Sequence, residues 1–168
     1  GEIGVESMVG QGSTFRVVMA LPWADSISLD EHDDHTSVAT LKARIAGLGR
    51  PLHVLIAEDN PTNQLVAVKM LKTFDVTTHV AADGLEAVAA VERFQFDVIF
   101  MDMRMPEMDG LEATRVIRSR GGACAEVPII ALTANAFAPE IKACREAGMT
   151  DFVAKPVRRH VLVDAILK

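Results

Sequence analysis

From residue 52 onward the chain repeats one pattern: a short apolar run, a polar loop, then an amphipathic stretch. The apolar runs fall at 54–57, 76–80, 98–101, 129–132 and 152–154. Most are continuously apolar, with no alternation of polar residues, which is how strands covered on both faces read. Short buried strands alternating with helical segments require crossover connections, and so argue for βα units and a parallel sheet.

The intervening segments carry their own start and stop signals. Asn60-Pro61 opens the first, because Asn caps well and Pro suits the first helical position; Leu65, Val68 and Leu71 are its expected buried stripe. Asp83-Gly84 opens the second, with Leu85, Val88 and Val91 facing inward, and a third spans about 111–120 before Gly121-Gly122 stops it. A fourth begins near Pro139 and ends at Gly148, and the last covers about 158–168. Together these predict an α/β, flavodoxin-like, doubly wound five-stranded parallel sheet of order 2-1-3-4-5 with five helices over residues 52–168.

The first 51 residues read differently. Two short runs, 3–7 and 14–20, flank Gly10-Gln11-Gly12 as a β-hairpin with little core of its own. Residues 24–51 read as an acidic linker, with Asp25, Asp30, Glu31, Asp33 and Asp34 preceding any Lys or Arg until Lys42, and with a short helix near 41–48 closed by Gly47 or Gly49. The His32-Asp-Asp-His35 run lacks the scaffold that a metal site needs. A net charge of −6 argues against a nucleic-acid partner, which requires clustered Lys and Arg. Cys124 and Cys144 lack metal-ligand spacing and read as free thiols in a cytoplasmic setting. No apolar stretch approaches the roughly 20 residues that cross a bilayer, so direct membrane contact is not expected.

Open parallel sheets bind ligands beyond the carboxyl ends of their strands. The residues following the apolar runs are Glu58-Asp59, Asp102, Thr133 and Lys155-Pro156. One edge therefore gathers three carboxylates, a hydroxyl and an amine. Three carboxylates in a cleft repel one another unless a cation neutralises them, and oxygen donors of this kind suit Mg2+ or Mn2+. A carboxylate so placed is a nucleophile towards phosphorus, giving an acyl phosphate whose oxygens the metal, Lys155 and Thr133 would stabilise.

The segments Leu55-Ile-Ala-Glu-Asp-Asn60, Met101-Asp-Met-Arg-Met-Pro-Glu-Met-Asp-Gly110, Ile130-Ala-Leu-Thr-Ala-Asn135 and Asp151-Phe-Val-Ala-Lys-Pro156 closely resemble the motifs of two-component receiver domains. The resemblance implies that Asp102 is the phosphoacceptor, with Asp59 and Asp102 as direct metal ligands, Glu58 acting through water and the Arg104 backbone carbonyl adding a ligand. It implies that Thr133 and Lys155 bind the phosphoryl group, and that Thr133 and Phe152 form the switch. The implied partners are a histidine kinase domain or a histidine-phosphotransfer protein, with homodimerisation a further expectation. Two positions that vary in the family, after the phosphoacceptor and after the switch Thr, hold Arg104 and Asn135; Arg104 is placed to pair with Glu58 or to crowd an attacking water.

The opening Gly1-Glu-Ile-Gly-Val-Glu-Ser7, Gly10-Gln-Gly-Ser-Thr-Phe15 and Ala20-Leu-Pro22 is similar to the last strands of a histidine kinase ATP-binding domain, which implies that residues 1–23 derive from a hybrid sensor kinase. The kinase's nucleotide-binding and phosphohistidine motifs are missing, so kinase activity is not expected of this chain. No output module follows Lys168, so the expected output is phosphotransfer or an effect on an attached kinase. The alternative is a receiver fold serving only as an interaction or dimerisation module. An aspartyl phosphatase would need a second Asp where Arg104 stands, and an FMN carrier would need glycines where Asp59-Asn-Pro-Thr-Asn63 is acidic.

Overall fold

The computed structural model describes residues 2–8, 10, 12–18, 37–134 and 137–168. Asn135, the His32–His35 run, the end of the second predicted strand at 19–20 and most of the acidic stretch lie outside the described residues. The chain divides into two compact units, Gly1–His35 and Thr36–Lys168.

In the first unit, β1 (Glu2–Met8) and β2 (Gly12–Val18) pair antiparallel from Glu2↔Val18 to Met8↔Gly12. Gly10 (φ 80°) and Gly12 (φ 97°) take the positive angles that the connection needs. The apolar side chains of this hairpin, Ile3, Val5, Phe15 and Val17, are exposed.

The second unit is organised around five parallel strands: β3 (His53–Ala57), β4 (Thr77–Ala81), β5 (Val98–Asp102), β6 (Ile129–Thr133) and β7 (Asp151–Ala154). Their order is β4-β3-β5-β6-β7, the 2-1-3-4-5 order expected from the sequence. Because successive side chains point to opposite faces, the central strands feed two cores. Leu55, Ile99, Met101, Ile129 and Ala131 pack on one face under α3 (Gly84–Arg93), α4 (Gly110–Ser119) and α6 (Ala138–Ala147). Val54, Ile56, Phe100, Ile130 and Leu132 pack on the other under α2 (Pro61–Lys72) and α7 (Arg159–Ile166).

Three details depart from the expected pattern. The inward row of α2 is Ala67, Val68 and Leu71, and Leu65 is 53% exposed because its position on the helical wheel lies outside that arc. In α3 the inward row is Gly84, Ala87, Val88 and Val91, leaving Leu85 50% exposed. A short helix, α5 (Gly122–Glu126), follows the glycines that end α4, entered through Gly121 and Gly122 at φ 73° and 64°.

Residues read as the end of a linker contribute to this core. Helix α1 (Val38–Ala46), capped by Ser37, buries Leu41 and Ile45 against the cluster shared by α2, α7 and β3. Arg44 meets Asp164 of α7 at 2.6 Å. That pair is half-exposed and worth little, so the apolar contacts hold the helix.

Helix caps fix the loops above the sheet. The Asn60 side chain accepts from the backbone N–H groups of Thr62 and Asn63, Asp83 accepts from Glu86 N–H and Asp109 from Glu112 N–H. Gly110 starts α4 so close to β5 that a Cβ there would collide with the Asp102 carbonyl oxygen. Among the described residues no helix is long and apolar enough to cross a membrane.

Two stability changes are expected. Gly110→Ala forces α4 away from β5 and lowers stability by about 1–3 kcal/mol, read as a lower urea midpoint at unchanged slope; an unchanged midpoint would mean that the contact is not tight. Leu41→Ala empties a fully buried position in α1 and costs about 2–5 kcal/mol; a loss below the lower bound in the same titration would show that α1 is not part of the cooperative unit.

Candidate functional site

The carboxyl ends of β3, β5 and β6, with the residue after β7, form one site. Glu58 and Asp102 are buried, at 2% and 7% exposure, while Asp59 is exposed to solvent. Lys155 reaches across from the far side of the sheet, and its Nζ donates to Glu58 Oε2 and to Asp102 Oδ2, each at 2.6 Å. Strand order explains this reach: β6 lies between β5 and β7, and a Lys side chain is long enough to span that distance.

Glu58 is held from three directions. Its Oε1 accepts from the Asn63 side-chain amide at 2.7 Å, its backbone carbonyl accepts from the Gln64 side-chain amide at 2.6 Å, and its backbone N–H donates to the Ala81 carbonyl at 3.0 Å. Asn63 and Gln64 come from the first turn of α2, which the Asn60 cap starts immediately beyond the site. Sequence reasoning did not pick out either amide. Their only signal was proximity in sequence to the acidic pair.

Burial raises the pKa of Asp102, and the Glu58 charge adds to it, against hydrogen bonds from Lys155 and from the Arg104 backbone N–H at 3.3 Å. On Lys155 burial disfavours the charge, but the hydrogen bonds to Asp102 and Glu58 outweigh it and raise the pKa. The ammonium is therefore held charged. One ammonium does not balance three carboxylates, so the site retains excess negative charge.

One oxygen from each of Glu58, Asp59 and Asp102 lies within 4.8 Å of the others. A cluster of hard oxygen donors around an undercompensated charge fits a small divalent cation. Arg104 is exposed. The expected option of an Arg104–Glu58 pair is not realised, because Lys155 and Asn63 occupy the Glu58 carboxylate.

Thr133 ends β6 and is 2% exposed. Its hydroxyl donates to Glu140 Oε2 in the first turn of α6, at 3.0 Å. Glu140 had no sequence signal, since nothing in the primary pattern links a strand-end Thr to a carboxylate seven residues on. Phe152 pairs in register with Ala131 and is half-buried against the core under α3, α4 and α6. It stands beside the site without entering the carboxylate cluster.

Comparison with known proteins places this geometry in a family. The "Response regulator receiver domain" family matches residues 54–167. Hybrid signal transduction histidine kinase K of Dictyostelium discoideum is 34% identical across 99% of this chain, and the match covers 14% of that protein's length. The receiver domain of sensor histidine kinase PA1611 from Pseudomonas aeruginosa, solved with a magnesium ion in its active site cleft, is 43% identical with a TM-score of 0.65, over 70% of this chain and 95% of that one. The Saccharomyces cerevisiae receiver domain of Ssk1, crystallised with the histidine phosphotransfer protein Ypd1, is 32% identical with a TM-score of 0.64, over 69% of this chain and 86% of that one. A matched segment of more than half the chain, the 2-1-3-4-5 sheet and the acidic strand-end cluster agree: the chain belongs to the response regulator receiver domain family.

Proposed function

We propose that this chain is a phosphorelay receiver in which Asp102 accepts a phosphoryl group from the phosphohistidine of a kinase or phosphotransfer protein. The observation that carries this reading is the Lys155 ammonium bridging Glu58 and Asp102 within a three-carboxylate cluster. In the transfer, an Asp102 carboxylate oxygen bonds to phosphorus as the P–N bond breaks. The histidine nitrogen leaves with the electron pair and is protonated from solvent.

Burial leaves the Asp102 carboxylate poorly solvated, which favours its use as a nucleophile. Lys155 already lies against the acceptor carboxylate and is placed to neutralise the charge that the incoming oxygens bring. Asp59 and Asp102 directly, Glu58 through water, and the Arg104 backbone carbonyl would hold Mg2+ or Mn2+. When bound, such an ion offsets the combined negative charge of the carboxylates and the phosphoryl oxygens.

Phosphorylation replaces the single Asp102 carboxylate charge with an acyl phosphate carrying roughly two negative charges at the sheet edge. Thr133 is the hydroxyl that would turn towards them, and Phe152, half-buried on β7, the aromatic that would follow. Such a ligand shifts a conformational equilibrium only if the two states contact it differently, and a reorienting hydroxyl supplies that difference.

Residues 1–23 read as the last strands of a histidine kinase ATP-binding domain, a reading under which this receiver would belong to a hybrid kinase. The match to the Dictyostelium kinase across nearly the whole chain supports that organisation. The receiver–Ypd1 complex supports a histidine-phosphotransfer protein as donor or acceptor.

Two outcomes are expected. Incubation with Mg2+ and acetyl phosphate adds a single phosphoryl group by intact-mass spectrometry, and the adduct is lost in Asp102→Asn and when EDTA removes the metal; no adduct, or one indifferent to the substitution, would leave the interaction-module reading. The phosphoryl group also decays several-fold faster in Arg104→Ala, because the exposed guanidinium two residues from the acceptor no longer crowds an attacking water. Equal or slower decay in the variant would remove that role from Arg104.

A further inference from the structure

The contact between Thr133 and Glu140 bears directly on the switch. Thr133 Oγ1 donates to Glu140 Oε2 at 3.0 Å, from a strand end that is almost fully buried. A hydroxyl has one hydrogen to donate. While that hydrogen points at Glu140 it is not available to a phosphoryl oxygen on Asp102.

The setting of Glu140 strengthens the contact. Helix α6 begins at Ala138 after Phe137, which provides no side-chain cap, whereas Asn60, Asp83 and Asp109 cap α2, α3 and α4 with side-chain hydrogen bonds. Glu140 occupies the first turn of α6, where the helix dipole favours a carboxylate. The Glu140 carboxylate therefore ties an uncapped helix start to the sheet edge through Thr133. Burial pushes the Cys144 thiol up, and the Glu140 charge one turn away adds to that rise.

We infer that Glu140 is a positioning residue for the phosphorylation switch, an internal acceptor that holds the Thr133 hydroxyl in the resting arrangement and with which the phosphoryl group on Asp102 competes. The inference rests on the reading of Asp102 as phosphoacceptor and Thr133 as its switch hydroxyl. Each phosphorylation must break the Thr133–Glu140 bond before Thr133 can serve the phosphoryl oxygens. Breaking it also releases the first turn of α6, so one exchange of hydrogen-bond acceptor links chemistry at β5 to the position of a helix.

Glu140→Ala, Glu140→Gln and the double variant Glu140→Ala/Thr133→Ala separate this role from a plain charge effect. Alanine removes both acceptor and charge, whereas glutamine removes the charge and keeps an acceptor. The readouts are the rate of acetyl phosphate labelling at limiting donor, by intact mass, and the amide chemical shifts around Thr133 and α6 in the unphosphorylated protein.

Glu140→Ala is expected to label about tenfold faster than wild type, equivalent to about 1.4 kcal/mol, with Glu140→Gln in between. The resting amide shifts of Glu140→Ala should lie displaced towards those of the phosphorylated wild type. In the Thr133→Ala background the Glu140 substitution should add nothing, as a double-mutant cycle requires of a pair acting through one bond. Equal effects of Gln and Ala, the same gain without Thr133, or resting shifts that stay at wild-type positions would overturn the inference while leaving Asp102 as phosphoacceptor. Wild type that takes no phosphoryl group on Asp102 would overturn both readings.

Discussion

The Lys155 ammonium, lodged between Glu58 and Asp102, is the interaction on which the site is built. Both carboxylates are almost entirely removed from water, and a buried carboxylate without a partner is costly enough to be protonated instead. The bridging ammonium lets both remain available as oxygen donors. It also ties the end of β7 to the ends of β3 and β5, so that three strands of one sheet converge on a single charge cluster. Because three carboxylates share one ammonium, the cluster stays short of positive charge, and that shortfall makes it receptive to a divalent cation.

The rest of the fold holds the cluster unequally. On the β3 and β5 side the supports are rigid. Asn63 and Gln64 from a capped α2 grip Glu58, and Gly110 lets a capped α4 start against the backbone of Asp102. On the β6 and β7 side the supports are looser: α6 starts without a side-chain cap, Thr133 is tied to Glu140, and Phe152 is only half-buried. A site whose acceptor half is held by several contacts and whose neighbouring half includes an exchangeable hydrogen bond is suited to signalling, since added charge can move one part without disturbing the other. Helix α1, packed on the opposite face of the sheet from α3, α4 and α6, extends the folded unit beyond the segment that the βα pattern marks out.

Legibility in the sequence followed the range of the interactions. The central strands β3, β5 and β6 and the residues that end them were readable because a strand buried on both faces needs a continuous apolar run, and such a run announces where it stops. Helix starts at Asn60 and Asp83 depend on caps a few residues long, which local sequence records. The inward stripes of α2 and α3 were less readable. Leu65 and Leu85 are apolar at plausible spacing, yet the approach of each helix to the sheet selected the rows through Ala67 and Gly84. Helix α1 was legible as a helix but not as part of the core, because the cluster that Leu41 and Ile45 join includes α7, more than a hundred residues away.

The sequence by itself determined the parallel sheet and the set of chemical groups delivered to its carboxyl edge, because hydrophobic periodicity and the residue after each apolar run are local properties. Only the tertiary structure decided which of those groups touch. Lys155 could have been a solvated charge, Asn63 a turn residue and Glu140 an ordinary first-turn acid. They become a bridge to Glu58 and Asp102, a clamp on Glu58 and an acceptor for Thr133 because packing two helical layers onto one sheet brings Lys155 to carboxylates 97 and 53 residues away and sets the first turns of α2 and α6 against the strand ends. Such contacts are set by burial and reach in three dimensions, and no spacing along the chain encodes them.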